Sequence, residues 1–417
     1  MNIILKNGTL SGTISAISSK SHAHRALICA ALANGASKIK CDNLSKDIEA
    51  TAECLRCLGA DIKYKDKVFT VKSIDVSKAK SEIDCGESGS TLRFLLPIIG
   101  ALGLTVNIKM HGRLPERPLF PLDREMLKNG CNLVRNGDIL NVSGKLNPSD
   151  YEIEGNISSQ FVSGLLFALP ILKGKSRIII KDKFESYSYV LLTQQVLKNY
   201  GIEYIFENNT FELTKENYIS CSSSVEGDWS NAAFWLCAGA LSEQGITVEN
   251  LNFSSIQGDK KIIDVLKNFG ADVVINNNSA TVKKAKLNGI VVDASDIPDL
   301  VPIIALTACN AEGDTVITNA ERLRIKESDR IKTVVELITN LGGKVKETPD
   351  GMIITGTQLI GGTVNSYNDH RIAMTAAVAT QICKNQVKII DANAVSKSYP
   401  EFFKDFERLN GVCKEEE

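Results

Sequence analysis

This sequence has almost no net charge, no long apolar run and few aromatic residues. Its 417 residues include 48 Lys and Arg and 49 Asp and Glu, for a net charge of −1. That balance argues against a nucleic-acid partner, because duplex binding relies on clustered cations. The longest apolar stretch, residues 94–106, is broken by Pro97 and two glycines. It is shorter than the roughly 20 residues of a membrane-spanning helix. We therefore expect a globular protein with an aliphatic core that binds neither nucleic acid nor membrane.

Cysteine is sparse for a disulfide-stabilised protein. The eleven cysteines are spread from Cys29 to Cys413, whereas secreted disulfide frameworks occur in short, cysteine-dense chains. Cys54 and Cys57 have metal-like spacing, but no second CxxC and no His pair completes a zinc site. The N-terminal segment also lacks the basic and apolar regions of a signal peptide. The sequence therefore predicts packed thiols, no metal and a cytoplasmic location.

A short pattern recurs along the chain: the end of an apolar helix, a glycine, and usually the start of a strand. The glycines stand 69 to 72 residues apart, at Gly59, Gly130, Gly201, Gly270, Gly342 and Gly411. Glycine adopts the left-handed conformation that ends many helices without steric cost, so each is expected to be a helix C-cap. Six evenly spaced positions indicate six repeats.

Six further segments lie on the same period and are rich in Ala and Leu. They cover residues 19–35, 87–103, 158–174, 228–245, 296–313 and 368–385. Ser, Asp or Asn stands at or beside the start of each, as favoured for helix N-caps. Because they are apolar all round, they are predicted to be buried helices. Alternating β-branched runs at 176–182, 245–251, 288–294 and 314–320 predict strands.

Each repeat is therefore predicted to be an α/β unit with one buried and one amphipathic helix. Solenoid repeats are generally shorter, at about 20–45 residues. Six units of this size suit two globular domains with three units each. The buried helices carry Lys20, Arg25, Arg93 and Arg371 near their N-termini, where cations are disfavoured and anions are attracted. An anionic partner is expected there.

Several motifs contain candidate anion-binding residues. GESGSTLRF (86–94) is typical of a loop that offers backbone N–H groups to phosphate, with Gly89 permitting close approach. GRLPERPLFPL (112–122) places Arg117 in a proline-stiffened loop, and arginine binds phosphate or carboxylate through two hydrogen bonds. Residues 322–343 predict one helix that opens with a charged KESDR run. The motifs NDHR (368–371) and SKSYPEFF (396–403) complete the set.

Taken in this order, the motifs resemble those of the 5-enolpyruvylshikimate-3-phosphate synthases in the enolpyruvyl transferase family. The shared patterns are KSxxxR, SGxxxR, ERPLxPL, SSQF, EGDWSNAAF, IPD, RxKESDR, NDHR and a closing Lys, collinear from residue 11 to residue 409. The resemblance implies an inside-out α/β barrel fold in two domains of three repeats. The first domain would be residues 18–225 and the second residues 1–17 plus 226–417. The active site would lie in the cleft between them.

The resemblance also implies a reaction. The enolpyruvyl group of phosphoenolpyruvate would pass to the 5-hydroxyl of shikimate 3-phosphate, by addition and elimination through a tetrahedral intermediate that releases phosphate. This is a step of the shikimate pathway towards chorismate and the aromatic amino acids, and it requires no metal or organic cofactor. The two substrates are the expected partners of a monomeric enzyme. Family members are glyphosate targets: Gly89 fits sensitivity, whereas Glu87 and Ser90 depart from the common loop pattern.

The family's site residues carry over onto matching positions of this sequence. Those implied for shikimate 3-phosphate are Lys20, Ser21, Arg25, Ser158, Ser159, Ser186, Tyr189, Asp299 and Lys326. Those implied for phosphoenolpyruvate are Lys20, Gly89, Arg117, Gln160, Arg330, Arg371 and Lys397. The resemblance implies Asp299 as the base for the 5-hydroxyl, Glu327 as the proton donor to the methylene carbon, and Lys20 as a relay. How these three share proton transfer stays open.

Two other functions are compatible with such a fold. The sister enzyme, which transfers enolpyruvate to UDP-N-acetylglucosamine, typically begins with a Lys-Asn pair and carries a cysteine in its loop. Here Ser21 follows Lys20, and residues 113–117 contain no cysteine. A non-catalytic anion-binding relative would be expected to have lost charged site positions, and all of those named above are present.

Overall fold

The computed structural model describes residues 1–416 and divides the chain into two compact units. One consists of Ser18–Val225 and is called the continuous unit here. The other combines Met1–Ile17 with the residues from Glu226 onward and is called the split unit.

Twelve α-helices form within the described residues. In chain order they are α1 (Lys20–Leu32), α2 (Lys46–Cys57), α3 (Gly89–Leu102), α4 (Leu122–Lys128), α5 (Ser159–Ala168), α6 (Tyr187–Asn199), α7 (Trp229–Ala240), α8 (Ile262–Phe269), α9 (Val301–Ala308), α10 (Arg330–Asn340), α11 (His370–Ala379) and α12 (Phe402–Arg408). Helices α1 to α6 belong to the continuous unit and the others to the split unit.

The strands are short, mostly three to six residues. In chain order they are β1 (Asn2–Leu5), β2 (Gly12–Ser15), β3 (Ala36–Lys40), β4 (Asp61–Lys65), β5 (Val68–Lys72), β6 (Glu82–Asp84), β7 (Val106–Lys109), β8 (Cys131–Asn136), β9 (Ile139–Gly144), β10 (Asp150–Glu154), β11 (Arg177–Lys181), β12 (Ile202–Glu207), β13 (Thr210–Glu216), β14 (Ser222–Ser224), β15 (Ile246–Glu249), β16 (Asp272–Asn276), β17 (Ser279–Lys283), β18 (Val291–Asp293), β19 (Asp314–Thr318), β20 (Lys344–Thr348), β21 (Gly351–Thr355), β22 (Gly362–Asn365), β23 (Val387–Ile390) and β24 (Cys413–Glu416).

The sheets that these strands form share one pattern: an outer strand parallel to its neighbour, followed by two antiparallel pairings. The continuous unit contains the orders β14-β3-β5-β4, β6-β7-β9-β8 and β10-β11-β13-β12. The split unit contains β2-β15-β17-β16, β18-β19-β21-β20 and β22-β23-β1-β24. This shared topology confirms the prediction of six α/β repeats.

Three strands complete sheets whose other members lie far away in sequence. Strand β14 is parallel to β3, although almost 200 residues separate them along the chain. Strand β2 is parallel to β15, and β1 lies between β23 and β24. The split unit therefore depends on the N-terminal residues for two of its sheets.

The six Ala- and Leu-rich segments form the predicted buried helices α1, α3, α5, α7, α9 and α11. Every residue of α7 is buried, and α7, α9 and α11 contact one another. The side chain of the predicted Ser, Asp or Asn type caps five of these helices. The exception is α9, which follows a 3-10 turn at Pro298–Leu300 and has no side-chain cap.

Two local predictions are wrong in part. Five of the repeat glycines have a positive φ of 82° to 107°, but in the sixth repeat Asn410 takes the left-handed conformation instead of Gly411. The single helix predicted over 322–343 begins only at Arg330, after a 3-10 turn at Glu321–Ile325. The Asp329 side chain caps α10 by accepting a hydrogen bond from the backbone N–H of Lys332, which sets the helix start.

The cysteines of the described residues are all free thiols. Cys54 is buried as predicted, whereas Cys57 at the end of α2 is only half-buried. No α-helix among residues 1–416 combines the length and the apolar character needed to span a bilayer.

Candidate active site

Arg330 contacts three carboxylates in the split unit. Its Nη1 donates to Asp299 Oδ1 at 2.7 Å and its Nη2 to Glu327 Oε2 at 2.7 Å. Its Nε donates to Asp369 Oδ2 at 2.8 Å. The second oxygen of Asp299 lies 3.1 Å from Nη2 of Arg371. Only 1% of the Arg330 side chain is exposed. The KESDR run therefore includes a buried charge network and is not simply a solvated face.

Electrostatics keep Asp299 ionised. Burial alone would raise the pKa of its carboxyl group, but three cations, Arg371, Lys326 and Arg330, outweigh burial and hold that pKa well below the usual range. At Lys326 burial prevails instead, because it lowers the pKa of the side chain to about 8 even though Asp299 and Glu327 favour the charged form. An aspartate and a lysine with shifted pKa values thus lie together, as is common at functional sites.

These side chains lie at or beside the ends of helices and 3-10 turns. Asp299 lies in the turn before α9, and Arg330 is the first residue of α10. Asp369 caps α11 by accepting a hydrogen bond from the backbone N–H of Arg371. Lys397 ends the 3-10 segment Ala392–Lys397 and donates to the backbone carbonyl of Asn368. The motifs IPD, KESDR and NDHR are therefore brought together within one unit, and Lys397 bonds to the first residue of NDHR.

A second cluster lies in the continuous unit, at the starts of α3 and α5. Arg93 Nη1 donates to Gln160 Oε1 at 2.7 Å, and Gln160 Nε2 donates to Ser90 Oγ at 2.9 Å. Arg117 packs against Gly89, so closely that a Cβ added at Gly89 would lie 2.8 Å from Nη1 of Arg117. Any larger residue at position 89 would displace this guanidinium. The predicted residues Gly89, Arg117 and Gln160 are thus neighbours.

Arg25 is held by α1 and α6. Its Nε donates to Thr193 Oγ1 at 2.8 Å, and its two terminal nitrogens donate to the backbone carbonyls of Ser21 and Tyr189 at 2.7 and 3.0 Å. Burial lowers the pKa of Arg25 to about 10, so it stays charged at neutral pH. Ser186 precedes α6 directly, with Tyr189 in its first turn, and Ser158 caps α5 next to Ser159.

Lys20 begins α1 and forms an ion pair with Asp47, with 2.7 Å between Nζ and Oδ2. Part of the anionic charge expected beside the helix N-termini is therefore supplied by the protein, by Asp47 for Lys20 and by Asp299 for Arg371.

Sequence reasoning did not assign Asp47 or Arg93 to the site. Asp47 is 27 residues from Lys20, and no local pattern connects the two. Arg93 was visible as the last residue of SGxxxR, but its bond to Gln160 depends on the packing of α3 against α5. Among the residues that the structure describes, no group of three or more His, Cys, Asp or Glu side chains is arranged to hold a metal ion.

The fold matches crystal structures of one class of transferase. It superposes on an EPSP synthase from Acinetobacter baumannii with a TM-score of 0.82, covering 99% of this chain and 100% of that chain at 24% identity. It also matches the enolpyruvyl transferase NikO from Streptomyces tendae, with a TM-score of 0.79 and 17% identity over 99% and 98% of the two chains. The two units with their six repeated sheets thus have the fold of enolpyruvyl transferases.

Sequence comparison defines the family within this class. The family model described as EPSP synthase (3-phosphoshikimate 1-carboxyvinyltransferase) matches residues 4–406. A 3-phosphoshikimate 1-carboxyvinyltransferase from Clostridium novyi is 43% identical across 99% of this chain and 98% of its own length. One from Clostridium acetobutylicum is 44% identical across 97% and 96%. The chain belongs to the EPSP synthase family, which confirms the family and the enzyme class predicted from the motifs.

Proposed function

We propose that this protein transfers the enolpyruvyl group of phosphoenolpyruvate to the 5-hydroxyl of shikimate 3-phosphate and releases phosphate. Its membership of the EPSP synthase family supports the reaction. The site chemistry supports it independently, since two phosphates and two carboxylates require several cations, and addition followed by elimination requires acid and base groups.

For phosphoenolpyruvate we propose seven contact residues. The residues are Lys20, Gly89, Arg117, Gln160, Arg330, Arg371 and Lys397. Two observations favour this set: Gly89, Arg117 and Gln160 are neighbours in the continuous unit, and Arg330 and Arg371 flank one carboxylate in the split unit.

For shikimate 3-phosphate we propose a set that combines hydroxyls with cations. The residues are Lys20, Ser21, Arg25, Ser158, Ser159, Ser186, Tyr189, Asp299 and Lys326. The start of α5 supports a phosphate contact near Ser158 and Ser159, because helix N-termini present unsatisfied N–H groups to anions. The buried, charged Arg25 supports a contact with an acidic group.

The position of Asp299 between two arginines is the observation that carries the mechanism. In the free enzyme Arg330 and Arg371 keep its carboxylate ionised and weakly basic. Bound phosphoenolpyruvate would share these guanidinium groups, which raises the proton affinity of Asp299 as its positive neighbours are neutralised. Asp299 then accepts the proton of the 5-hydroxyl. Glu327, released from Arg330 in the same way, takes up a proton relayed by Lys20 and donates it to the methylene carbon. In the elimination Glu327 takes a proton back from the methyl group so formed, and phosphate leaves with the proton held by Asp299.

Phosphate release tests this proposal. The enzyme is incubated with phosphoenolpyruvate and either shikimate 3-phosphate or UDP-N-acetylglucosamine, and release is expected only with shikimate 3-phosphate. Asp299→Asn should lower kcat by about 100-fold or more, the typical contribution of a general base. Asp296→Asn is the matched control, because Asp296 pairs with Lys261 on the surface and should leave kcat unchanged.

Other outcomes would redirect the assignment. Release only with the UDP-sugar would identify the sister activity. If folded protein releases no phosphate with either acceptor, the protein is a non-catalytic anion-binding relative.

We further propose that the enzyme acts as a monomer in the cytoplasm and binds no nucleic acid. Its balanced charge supports the last point. Sedimentation equilibrium tests the monomer, and a dimer mass would refute it.

A further inference from the structure

Two hydrogen-bond networks lie buried among the helices of the continuous unit, and they begin at neighbouring residues of α1. The α3 network consists of His24, Thr51, Thr91 and Ser88. The α6 network consists of Arg25, Thr193 and Ser163. Successive residues of a helix point about 100° apart, so His24 and Arg25 face different neighbours. The two networks have no residue in common.

The α3 network joins three helices through side chains that are at most 1% exposed. Nδ1 of His24 on α1 lies 2.6 Å from Thr51 Oγ1 on α2, which lies 2.6 Å from Thr91 Oγ1 on α3. Thr91 donates to Ser88 Oγ at 2.8 Å. The same Ser88 oxygen caps α3 by accepting from the backbone N–H of Thr91.

The direction of these bonds follows from proton counting. A hydroxyl has one proton, so Thr91, which donates to Ser88, accepts from Thr51, and Thr51 accepts from the Nδ1–H of His24. Burial lowers the pKa of His24 well below its usual value, so the ring is the neutral Nδ1–H tautomer. The chain of bonds thus has one arrangement and ends at Ser88, directly before Gly89 at the start of α3.

The α6 network is organised around Thr193. Its Oγ1 donates to the backbone carbonyl of Tyr189 at 3.0 Å and therefore accepts from Arg25 Nε and from Ser163 Oγ, both at 2.8 Å. Ser163 lies on α5, one turn after Ser159, and Thr193 lies on α6, one turn after Tyr189. This network connects Arg25 to α5 and α6, the two helices that directly follow Ser158 and Ser186.

We propose that the two networks are separate positioning devices: the α3 network positions the residues that bind phosphoenolpyruvate, and the α6 network those that bind shikimate 3-phosphate. The proposal rests on the substrate assignments of the proposed function. The connectivity of the hydrogen bonds supports it, since the α3 network ends one residue before Gly89, whereas the α6 network includes Arg25 itself. None of the central residues Thr51, Thr91, Thr193 and Ser163 is a proposed substrate contact.

Matched threonine substitutions test the separation. Thr51→Val and Thr193→Val each remove one central hydroxyl and keep the side-chain shape. Thr51→Val should raise KM for phosphoenolpyruvate about tenfold and leave KM for shikimate 3-phosphate within about twofold, as expected when a hydrogen bond to a positioning group is lost. Thr193→Val should do the reverse. Thr51→Ser and Thr193→Ser, which keep the hydroxyl, should restore both constants.

Reference variants separate a failure of this inference from a failure of the substrate assignments. Gln160→Ala should raise KM for phosphoenolpyruvate, and Ser159→Ala should raise KM for shikimate 3-phosphate. If these two variants do not raise KM for different substrates, the substrate assignments are wrong. If they do, but Thr51→Val and Thr193→Val each change KM for both substrates to the same extent, the networks are merely structural and the inference is overturned.

Circular dichroism at the assay temperature checks that each variant is folded. Should a valine variant unfold, Thr91→Val and Ser163→Ala interrupt the same two networks at neighbouring positions. The same split is expected of them, and its absence would refute the proposal.

Discussion

Arg330 donates hydrogen bonds to Asp299, Glu327 and Asp369 with 1% of its side chain exposed, so these acidic residues share one buried cation. Removing one partner of a buried ion pair leaves uncompensated charge in a medium of low polarity. The stability of the split unit and the chemistry of the candidate site therefore depend on the same guanidinium.

Arg330→Gln is expected to lower the free energy of unfolding by about 3–5 kcal/mol, the cost of leaving the buried carboxylate of Asp369 and the partly buried ones of Asp299 and Glu327 without their cation. Urea denaturation followed by tryptophan fluorescence measures it, because Trp229 and Trp235 both lie in the split unit. Lys286→Gln is the control: its pair with Glu312 lies in the same unit, is more than half exposed and should contribute less than about 1 kcal/mol. Equal losses in the two variants would contradict the buried network.

The lowered pKa of Lys326 predicts how kcat/KM depends on pH. Because burial lowers its pKa to about 8, the side chain is charged below that pH and becomes neutral above it. If it binds shikimate 3-phosphate as proposed, kcat/KM for this substrate should fall as the pH rises through about 8, since kcat/KM reports the free enzyme. Lys326→Arg stays charged and should abolish the decline. A decline that persists in this variant would assign the titration to another group.

At the scale of elements, the close approach of α3 and α5 decides whether Arg93 reaches Gln160. Gly164 permits this approach, because a Cβ there would lie 2.4 Å from the backbone oxygen of Arg93 and 3.0 Å from Pro97. The backbone of α3 cannot move aside without shifting the helix start that carries Gly89.

Gly164→Ala is therefore expected to cost about 1–3 kcal/mol by overpacking and to raise KM for phosphoenolpyruvate. Thermal denaturation and initial rates measure the two effects. Gly8→Ala is the control, since no atom lies within 4 Å of a Cβ added there. It should change stability by less than about 1 kcal/mol, and a larger loss than that of Gly164→Ala would contradict the argument.

At the scale of the whole molecule, one unit is continuous in sequence and the other is not. Residues 1–17 supply β2 and the inner strand β1, in which Ile3 lies opposite Ile389 on one side and Glu415 on the other. They also bury Leu5 and Leu10 completely. Without them β15 and β23 become open sheet edges, β24 loses its partner strand and the core of the split unit is exposed.

We predict that the fragment from residue 226 onward does not fold alone, whereas the same fragment followed by a short linker and residues 1–17 does. A short linker suffices, because Asn2 and Glu416 are paired on adjacent strands. Ser18–Val225 should fold by itself. Circular dichroism melting curves distinguish these cases. A cooperative transition in the fragment that lacks residues 1–17 would refute the dependence on β1.

Much of the secondary structure of this protein, and its family, could be predicted from short stretches of sequence. The six buried helices and five of their caps were predictable because Ser, Asp and Asn act on N–H groups two or three residues away. The family was predictable because its motifs are short and collinear. Two local predictions failed because a nearby residue took the expected role. Asn410 adopts the left-handed conformation in place of Gly411, and Asp329 caps α10 later in the chain than predicted.

Local patterns in the sequence thus predict the repeat, the starts of five of the six buried helices to within a turn, and the residue types of the candidate site. Only the tertiary structure decided which of these residues meet: Lys20 with Asp47, Arg93 with Gln160, and Arg330 with Asp369, across 27 to 67 residues of chain. The difference arises from the distance along the chain over which each interaction acts. Caps and turns act within a few residues, whereas ion pairs and sheet partners such as β1 depend on how whole helices and strands pack, which no local pattern records.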